Sequence, residues 1–99
     1  MTRILRHEDF APHVNKQFRF SGWHGSLRLA RIEQPARPVA ADGDAARAPF
    51  TLIFQGVRGD VLPDGMQMAT AEDGSRFEFY IMPIHTPAAD RQDYQAIFN

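Results

Sequence analysis

The sequence predicts an all-β fold, a small antiparallel barrel or sandwich of about six strands with one short N-terminal helix. Short segments of alternating apolar and polar residues recur along the chain, and turns containing glycine or proline separate them. With 99 residues, the chain has room for one hydrophobic core. Its hydrophobic share of 43% and charged share of 23% are typical of a globular protein. We therefore predict that residues 1–99 form a single domain.

The first predicted element is a short helix at residues 8–14. Phe10 and Val14 stand four positions apart and therefore share one side of a helix. Pro12 limits this helix to one or two turns, because proline interrupts the hydrogen bonding of a helix interior. Asn15 tolerates the left-handed conformation that commonly ends a helix, and this allows the chain to enter a strand.

Two strands follow at residues 17–21 and 26–33, joined by a turn that has a glycine at each end. The apolar alternation changes parity in the second half of the second strand, and a bulge near Ala30 explains that change. The residues predicted to face the core are Phe18, Phe20, Leu27 and Leu29.

A long loop and a third strand come next. Residues 35–49 contain three prolines and six alanines without an apolar period, which predicts a flexible surface loop. Residues 50–55 alternate as a strand whose aromatic residues share one face. Ile53 lies on the opposite face, and this predicts a central position in the sheet or cover from another segment.

The clearest local pattern is a hairpin at residues 66–83. Asp73 and Gly74 predict a two-residue type I′ turn, in which Glu72 pairs with Ser75. That register places three residues of the first arm opposite three apolar residues of the second: Met66 opposite Ile81, Met68 opposite Phe79 and Thr70 opposite Phe77. The methionines are therefore predicted to face the core. A last strand at residues 94–98 completes the six.

Four segments together resemble an uncharacterised bacterial family of all-β domains of about this length. They are Asp9–Phe18, Pro49–Phe54, Phe79–Ile84 and Tyr94–Asn99, and they match mainly at core and turn positions. The family often has glycine where this chain has Asn15. The resemblance implies a stand-alone β domain. Because such domains tend to be encoded near phage-tail-like collar proteins, it also implies a structural or assembly role.

Charge and composition argue against several classes of function. Eleven basic and twelve acidic residues give a formal net charge of −1, so no overall field attracts nucleic acid or an anionic membrane. The chain has no cysteine, which excludes disulfides, thiolate catalysis and cysteine-bound metals. It has no apolar run as long as a signal peptide or membrane span requires. We predict a cytoplasmic protein, or one associated with a particle without a signal peptide, that binds neither nucleic acid nor membrane.

No catalytic, metal-binding or cofactor-binding motif stands out. The four histidines show neither the i, i+4 spacing of helical metal ligands nor the i, i+2 spacing of strand ligands. No serine occupies a nucleophile elbow. Six acidic residues fall in turns or at helix starts, where short acidic side chains serve the backbone: Glu8, Asp9, Asp60, Asp64, Glu72 and Asp73. We therefore predict no catalytic residue, metal or cofactor, and an enzyme is the less favoured class.

Two groups of residues are candidates for binding a protein partner. Trp23 and His24 occupy the predicted turn between the first two strands, where the indole is either an exposed anchor or a lid on the core. Ile53, Tyr80 and Met82 fall on the outer face of the predicted sheet. We expect that face to be covered either by a protein partner or a second copy of the chain, or by other parts of the same chain in a closed sandwich.

The function predicted from the sequence is that of a non-enzymatic structural or protein-interaction module, with an accessory of a phage-tail-like assembly as its more specific form. The alternative is a small-molecule-binding protein or an enzyme that uses a pocket beside the loop at residues 35–49.

Overall fold

The computed structural model describes residues 5–34 and 49–98, so the loop predicted at residues 35–49 lies outside the described residues except for its last position. The elements are α1 (His7–Phe10), a 3₁₀ turn (Ala11–His13), β1 (Gln17–Phe20), β2 (Ser26–Glu33), β3 (Phe50–Gly56), β4 (Gly65–Ala71), β5 (Arg76–Ile84) and β6 (Gln92–Phe98).

Six antiparallel strands form a closed barrel in the described part of the chain, which confirms the predicted fold class. Around the barrel the order is β1-β2-β3-β6-β5-β4, and β4 pairs with β1 to close it. Two three-stranded meanders, β1–β3 and β4–β6, therefore make up the barrel, and residues 57–64 carry the chain from one to the other. Closure leaves no strand without a neighbour on each side.

The N-terminal elements close one end of the barrel, which we call the helix end. The amide of Arg6 donates to the side chain of Asp9 at 2.8 Å, which holds the start of α1. After the 3₁₀ turn, Asn15 has a φ of 72°, as its position at the end of a helical segment predicted. The predicted single helix is thus one α turn followed by a 3₁₀ turn, because Pro12 stands where an α-helix would need its amide.

The crossover segment, residues 57–64, closes the opposite end, which we call the crossover end. Leu62 is buried there, and its amide donates to the hydroxyl of Tyr94 at 3.0 Å. The Nη1 atom of Arg58 donates to three carbonyl oxygens of the β5–β6 connection: those of Thr86 at 3.2 Å, Ala88 at 2.8 Å and Arg91 at 3.0 Å. One guanidinium therefore ties two connections together.

Aromatic side chains fill the barrel. All eight phenylalanines of the chain are buried: Phe10, Phe18, Phe20, Phe50, Phe54, Phe77, Phe79 and Phe98. Phe50 and Phe98 stack with centroids 4.5 Å apart and an interplanar angle of 7°. A barrel of this size keeps a packed interior when bulky residues alternate with small ones, and Ala69, Ala71 and Ala96 supply the small ones.

Strands β1 to β3 follow the predicted pattern. The predicted bulge is confirmed, since the pairing of β2 with β3 shifts register between Leu29 and Arg31. Ile53 is 4% exposed although it lies outside the core cluster, and its strand pairs with β2 and β6.

The predicted register of the β4–β5 hairpin is wrong by one residue. The Gly74 amide donates to the Ala71 carbonyl at 3.0 Å, and the Ala71 amide donates to the Ser75 carbonyl at 2.8 Å. The loop therefore has three residues, with Gly74 left-handed at a φ of 91°. Ser75 donates its amide to Asp73, and this bond lowers the pKa of that carboxyl below its ordinary value.

The one-residue shift reverses the face of every side chain in β4. Ala69, not Thr70, lies opposite Phe77, and Met66 lies opposite Tyr80 on the outside. The physical reason is space, because Ala69 also pairs with Phe20 of β1 and two bulky neighbours leave room for a methyl group only. The larger methionines are therefore on the outer face.

Candidate functional site

The turn between β1 and β2 fixes the position of Trp23. Its amide donates to the carbonyl of Phe20 at 3.1 Å, and Gly22 takes a φ of 81°, a combination typical of a type II turn. The indole packs against the hydrophobic core and against the backbone of Gly25, where a β-carbon would lie only 2.9 Å from the ring. Trp23 is therefore a half-buried lid that still presents part of its ring to solvent.

His24 is next in the turn and points away from the core. Its Nε2 atom lies 2.6 Å from Oδ2 of Asp60 in the crossover segment, and both side chains are substantially exposed. The contact links the β1–β2 turn to the crossover segment. Exposed pairs of this kind contribute at most about 1 kcal/mol to stability.

A cleft of about 410 Å³ opens beside Trp23, between β1 and β4. The polar residues that line the cleft are Arg19, Ser21 and Thr70. The other lining residues are Phe20, Gly22 and Trp23. None of the described residues that line the cleft carries a carboxylate. The sequence analysis identified Trp23 but missed the rest of this cleft, because only barrel closure brings β4 beside β1.

A second surface lies on the outer face of β4, β5 and β6, and we call it the apolar face: Met66, Tyr80, Met82 and Ile97. Met66 and Tyr80 are direct cross-strand partners and are 61% and 46% exposed. Ile97 is 52% exposed and follows Gln95, the β6 partner of Met82, by two positions. Met82 is half-buried, and the side-chain amide of Gln95 donates to its sulfur at 3.5 Å.

The structure thus brings two of the predicted binding residues, Tyr80 and Met82, onto one face of β5. Ile53 is buried within the monomer, so it supplies no exposed contact area. Met66 was assigned to the core from the sequence. Gly74 fits a three-residue loop as well as a two-residue turn, so the loop sequence alone left both registers open.

Tyr80 is held in place at the rim of the apolar face. Its hydroxyl donates to Oδ2 of Asp64 at 3.2 Å. The nearby Asp64 carboxylate and this hydrogen bond raise the pKa of the Tyr80 phenol above its ordinary value. The hydrogen bond joins Tyr80 on β5 to the residue that precedes β4.

A family model matches residues 5–98, which is almost the whole chain. It describes a domain of unknown function, DUF6916. The chain belongs to this family. The match confirms the resemblance drawn from the sequence to an uncharacterised family. Neither the curated proteins nor the solved structures gave a match to this DUF6916 domain.

A second cleft of the DUF6916 domain lies at the helix end, where β2 ends and β3 begins. Its volume is about 250 Å³, and it is lined by Glu33, Gln34, Pro49, Phe50, Thr51, Ile97 and Phe98. Small-molecule sites usually enclose about 300–1,000 Å³. This is the place at which the sequence analysis expected a pocket beside the loop.

Buried polar groups of the DUF6916 domain take part in structural hydrogen bonds. The buried Asp93 accepts from Arg91 at 2.8 Å, and its amide donates to Thr86 at 2.9 Å. Burial raises the pKa of Tyr94, whose hydroxyl binds the Leu62 amide. Among the described residues, no three metal-binding side chains form a cluster. No described helix has the length and apolar character that a membrane span needs.

Proposed function

We propose that this domain is a non-enzymatic protein-interaction module that binds its partner through the apolar face. The observation that carries the proposal is the pairing of Met66 with Tyr80, two large side chains that lie side by side on the barrel exterior and remain about half exposed or more. Contiguous exposed apolar surface is characteristic of sites where proteins bind one another.

The chemistry of the apolar face supports this function. Tyrosine and methionine are enriched at the centres of protein interfaces, and tyrosine is among the residues that contribute most to binding energy. The hydrogen bond from Tyr80 to Asp64 holds the ring before binding. A side chain that is already ordered loses less conformational entropy when a partner covers it.

The architecture around the apolar face suits a scaffold. A closed barrel packed with eight phenylalanines gives the face a rigid support. Polar groups in the interior, such as those of Asp93 and Tyr94, bind backbone amides or neighbouring side chains and leave little for chemistry on a substrate.

The more specific form of the proposal is an accessory of a phage-tail-like assembly, in which the partner is a tail or collar protein. A small rigid barrel with one apolar face is suited to a repeated contact in such a particle. Identification of the partner tests this form separately from the interaction itself.

A charge on the apolar face is expected to abolish the interaction without unfolding the domain. Met66→Lys places an ammonium on the β4 side of the face, next to Tyr80, where a partner would have to desolvate it. The matched control is Val57→Lys, because Val57 is also exposed, at 66%, but lies in the crossover segment. Light scattering after gel filtration reports self-association, and affinity capture from the source cells with mass spectrometry reports other partners.

We expect wild type and Val57→Lys to retain one stoichiometric partner or a defined oligomer, and Met66→Lys to lose it while keeping its circular dichroism spectrum. A tail or collar protein as the partner supports the phage-tail-like form. A monomer with no partner sensitive to Met66 contradicts the interaction function.

A small-molecule function is the second candidate, favoured by the cleft at the helix end. Glu33 and Thr51 are cross-strand partners, so their Cα atoms are about 5 Å apart and a short turn can join β2 to β3. Replacing residues 35–48 with a short turn containing Asn-Gly is expected to leave thermal stability and partner binding unchanged. A co-purifying small molecule, detected by native mass spectrometry in wild type and absent from the shortened variant, would favour the pocket instead.

A further inference from the structure

The cleft beside Trp23 is rich in hydrogen-bond donors that the described part of the chain leaves unused. The side chains of Arg19, Ser21 and Thr70 take part in none of its hydrogen bonds or ion pairs. The amide of Gly22 likewise finds no acceptor among the described residues. The four residues that carry these donors all line one cleft of about 410 Å³.

Two arginines flank Thr70 on the outer face of the barrel. Arg19 and Arg76 are the two cross-strand partners of Thr70, one on each side, so their Cα atoms lie about 10 Å apart. Side chains of this length can both reach the space above Thr70. Three acidic residues lie near these arginines by position: Glu78 is on the same face of β5, Asp9 shares a separate cleft with Arg76, and the carboxylate of Glu72 accepts a hydrogen bond from the Gln17 amide at 2.8 Å.

On the Arg19 side of Thr70 no described carboxylate forms an ion pair with the guanidinium. The ion pairs of the described residues join other groups: His7 with Glu8, His24 with Asp60, Arg31 with Glu33 and Arg91 with Asp93. Arg19 thus forms no ion pair within the described residues, and the nearby carboxylate of Glu72 is bound to the Gln17 amide instead. Arg19 and Trp23 line the same cleft, in a protein whose overall charge is close to zero.

We propose that this cleft binds a carboxylate-bearing ligand, with the carboxylate on Arg19 and Thr70 and an apolar or ring-shaped body against Trp23. A planar guanidinium matches a carboxylate with two parallel hydrogen bonds. One guanidinium together with neutral hydroxyl and amide donors balances a single negative charge, which suits a monoanion. The exposed part of the indole offers a flat apolar surface beside the charge.

This inference does not depend on the proposed function, because the cleft lies between β1 and β4 and the apolar face lies on β4, β5 and β6. The carboxylate belongs to a small molecule or to an acidic side chain of a protein. Both sources present the same group to Arg19, and two probes separate them.

The test is titration of the ¹⁵N-labelled protein followed by two-dimensional NMR. The small-molecule probe is 3-phenylpropionate, and its neutral control is 3-phenylpropanamide. The peptide probe is acetyl-Asp-Phe-amide. We expect saturable shifts at the Gly22 amide and the Trp23 indole N–H with the carboxylates, and none with the neutral amide at the same millimolar concentrations.

The variants are Arg19→Gln and, as matched control, Arg31→Gln, which removes an exposed arginine from β2. We expect Arg19→Gln to weaken binding at least tenfold, because the charge-assisted pair is lost, and Arg31→Gln to leave it unchanged. Tighter binding of one probe identifies the source of the carboxylate. Absent shifts, equal shifts with the neutral amide, or undiminished binding by Arg19→Gln would overturn the proposal.

Discussion

Phe10→Ala is expected to lower the free energy of unfolding by about 3–5 kcal/mol, the usual cost of truncating a buried phenylalanine to alanine. The ring is fully buried at the helix end of the barrel. Its centroid lies 4.6 Å from that of Phe77 and 5.5 to 6.0 Å from those of Phe98, Phe79 and Phe50. One side chain from α1 therefore joins β3, β5 and β6.

This loss is a large share of the total stability, since the free energy of unfolding of a small domain is about 5–15 kcal/mol. For a chain of this length each kcal/mol lowers the thermal midpoint by about 4–8 °C. Circular dichroism during heating and during urea titration measures both quantities. Glu8→Ala is the matched control, because Glu8 is exposed on the same helix and is expected to change little. Equal midpoints for the two variants would show that α1 is dispensable.

Local alternation was enough to predict which residues of five strands face the core. In β1, β3, β5, β6 and the first half of β2, the residues at every second position are mostly aromatic or aliphatic, and they form the inward set. The bulge of β2 was also visible, because the change of parity occurs inside one strand between Leu29 and Ile32. Periodicity fails only where both faces of a strand carry small or moderately apolar residues.

Strand β4 is that case. Its two alternating sets are methionine with threonine and alanine with glutamine, so hydrophobicity alone favours the wrong set. The decisive quantity is volume, since Ala69 lies between Phe20 and Phe77 in the closed barrel. That arrangement depends on β4 pairing with β1, a contact between residues about fifty positions apart along the chain. No local pattern encodes it.

The same limit applies to the candidate sites. Trp23, Tyr80 and Met82 stood out in the sequence because each is a large residue in a turn or on a polar face. The residues that surround them come from distant segments. Thr70 of β4 pairs with Arg19 of β1 in the cleft beside Trp23, and Met66 of β4 pairs with Tyr80 on the apolar face. Local sequence patterns identify single large residues as candidates for binding, whereas the closed barrel determines which groups surround each of them.

Ala69→Asp is expected to unfold the domain at neutral pH. In the observed register its carboxylate would lie in the interior between Phe20 and Phe77, with no cation near it among the core residues. Burying an unpaired charge costs several kcal/mol or forces the carboxyl to bind a proton, and either outcome removes most of the stability of a small domain.

Met66→Asp is the matched variant, because it places the same carboxylate on the same strand but outside. We expect it to keep a cooperative unfolding transition, with a loss of about 1 kcal/mol from the lower strand propensity of aspartate. The register predicted from the type I′ turn requires the opposite, with Met66→Asp unfolded and Ala69→Asp folded. Urea denaturation of the two variants therefore decides between the registers, and with them whether Met66 belongs to the core or to the apolar face.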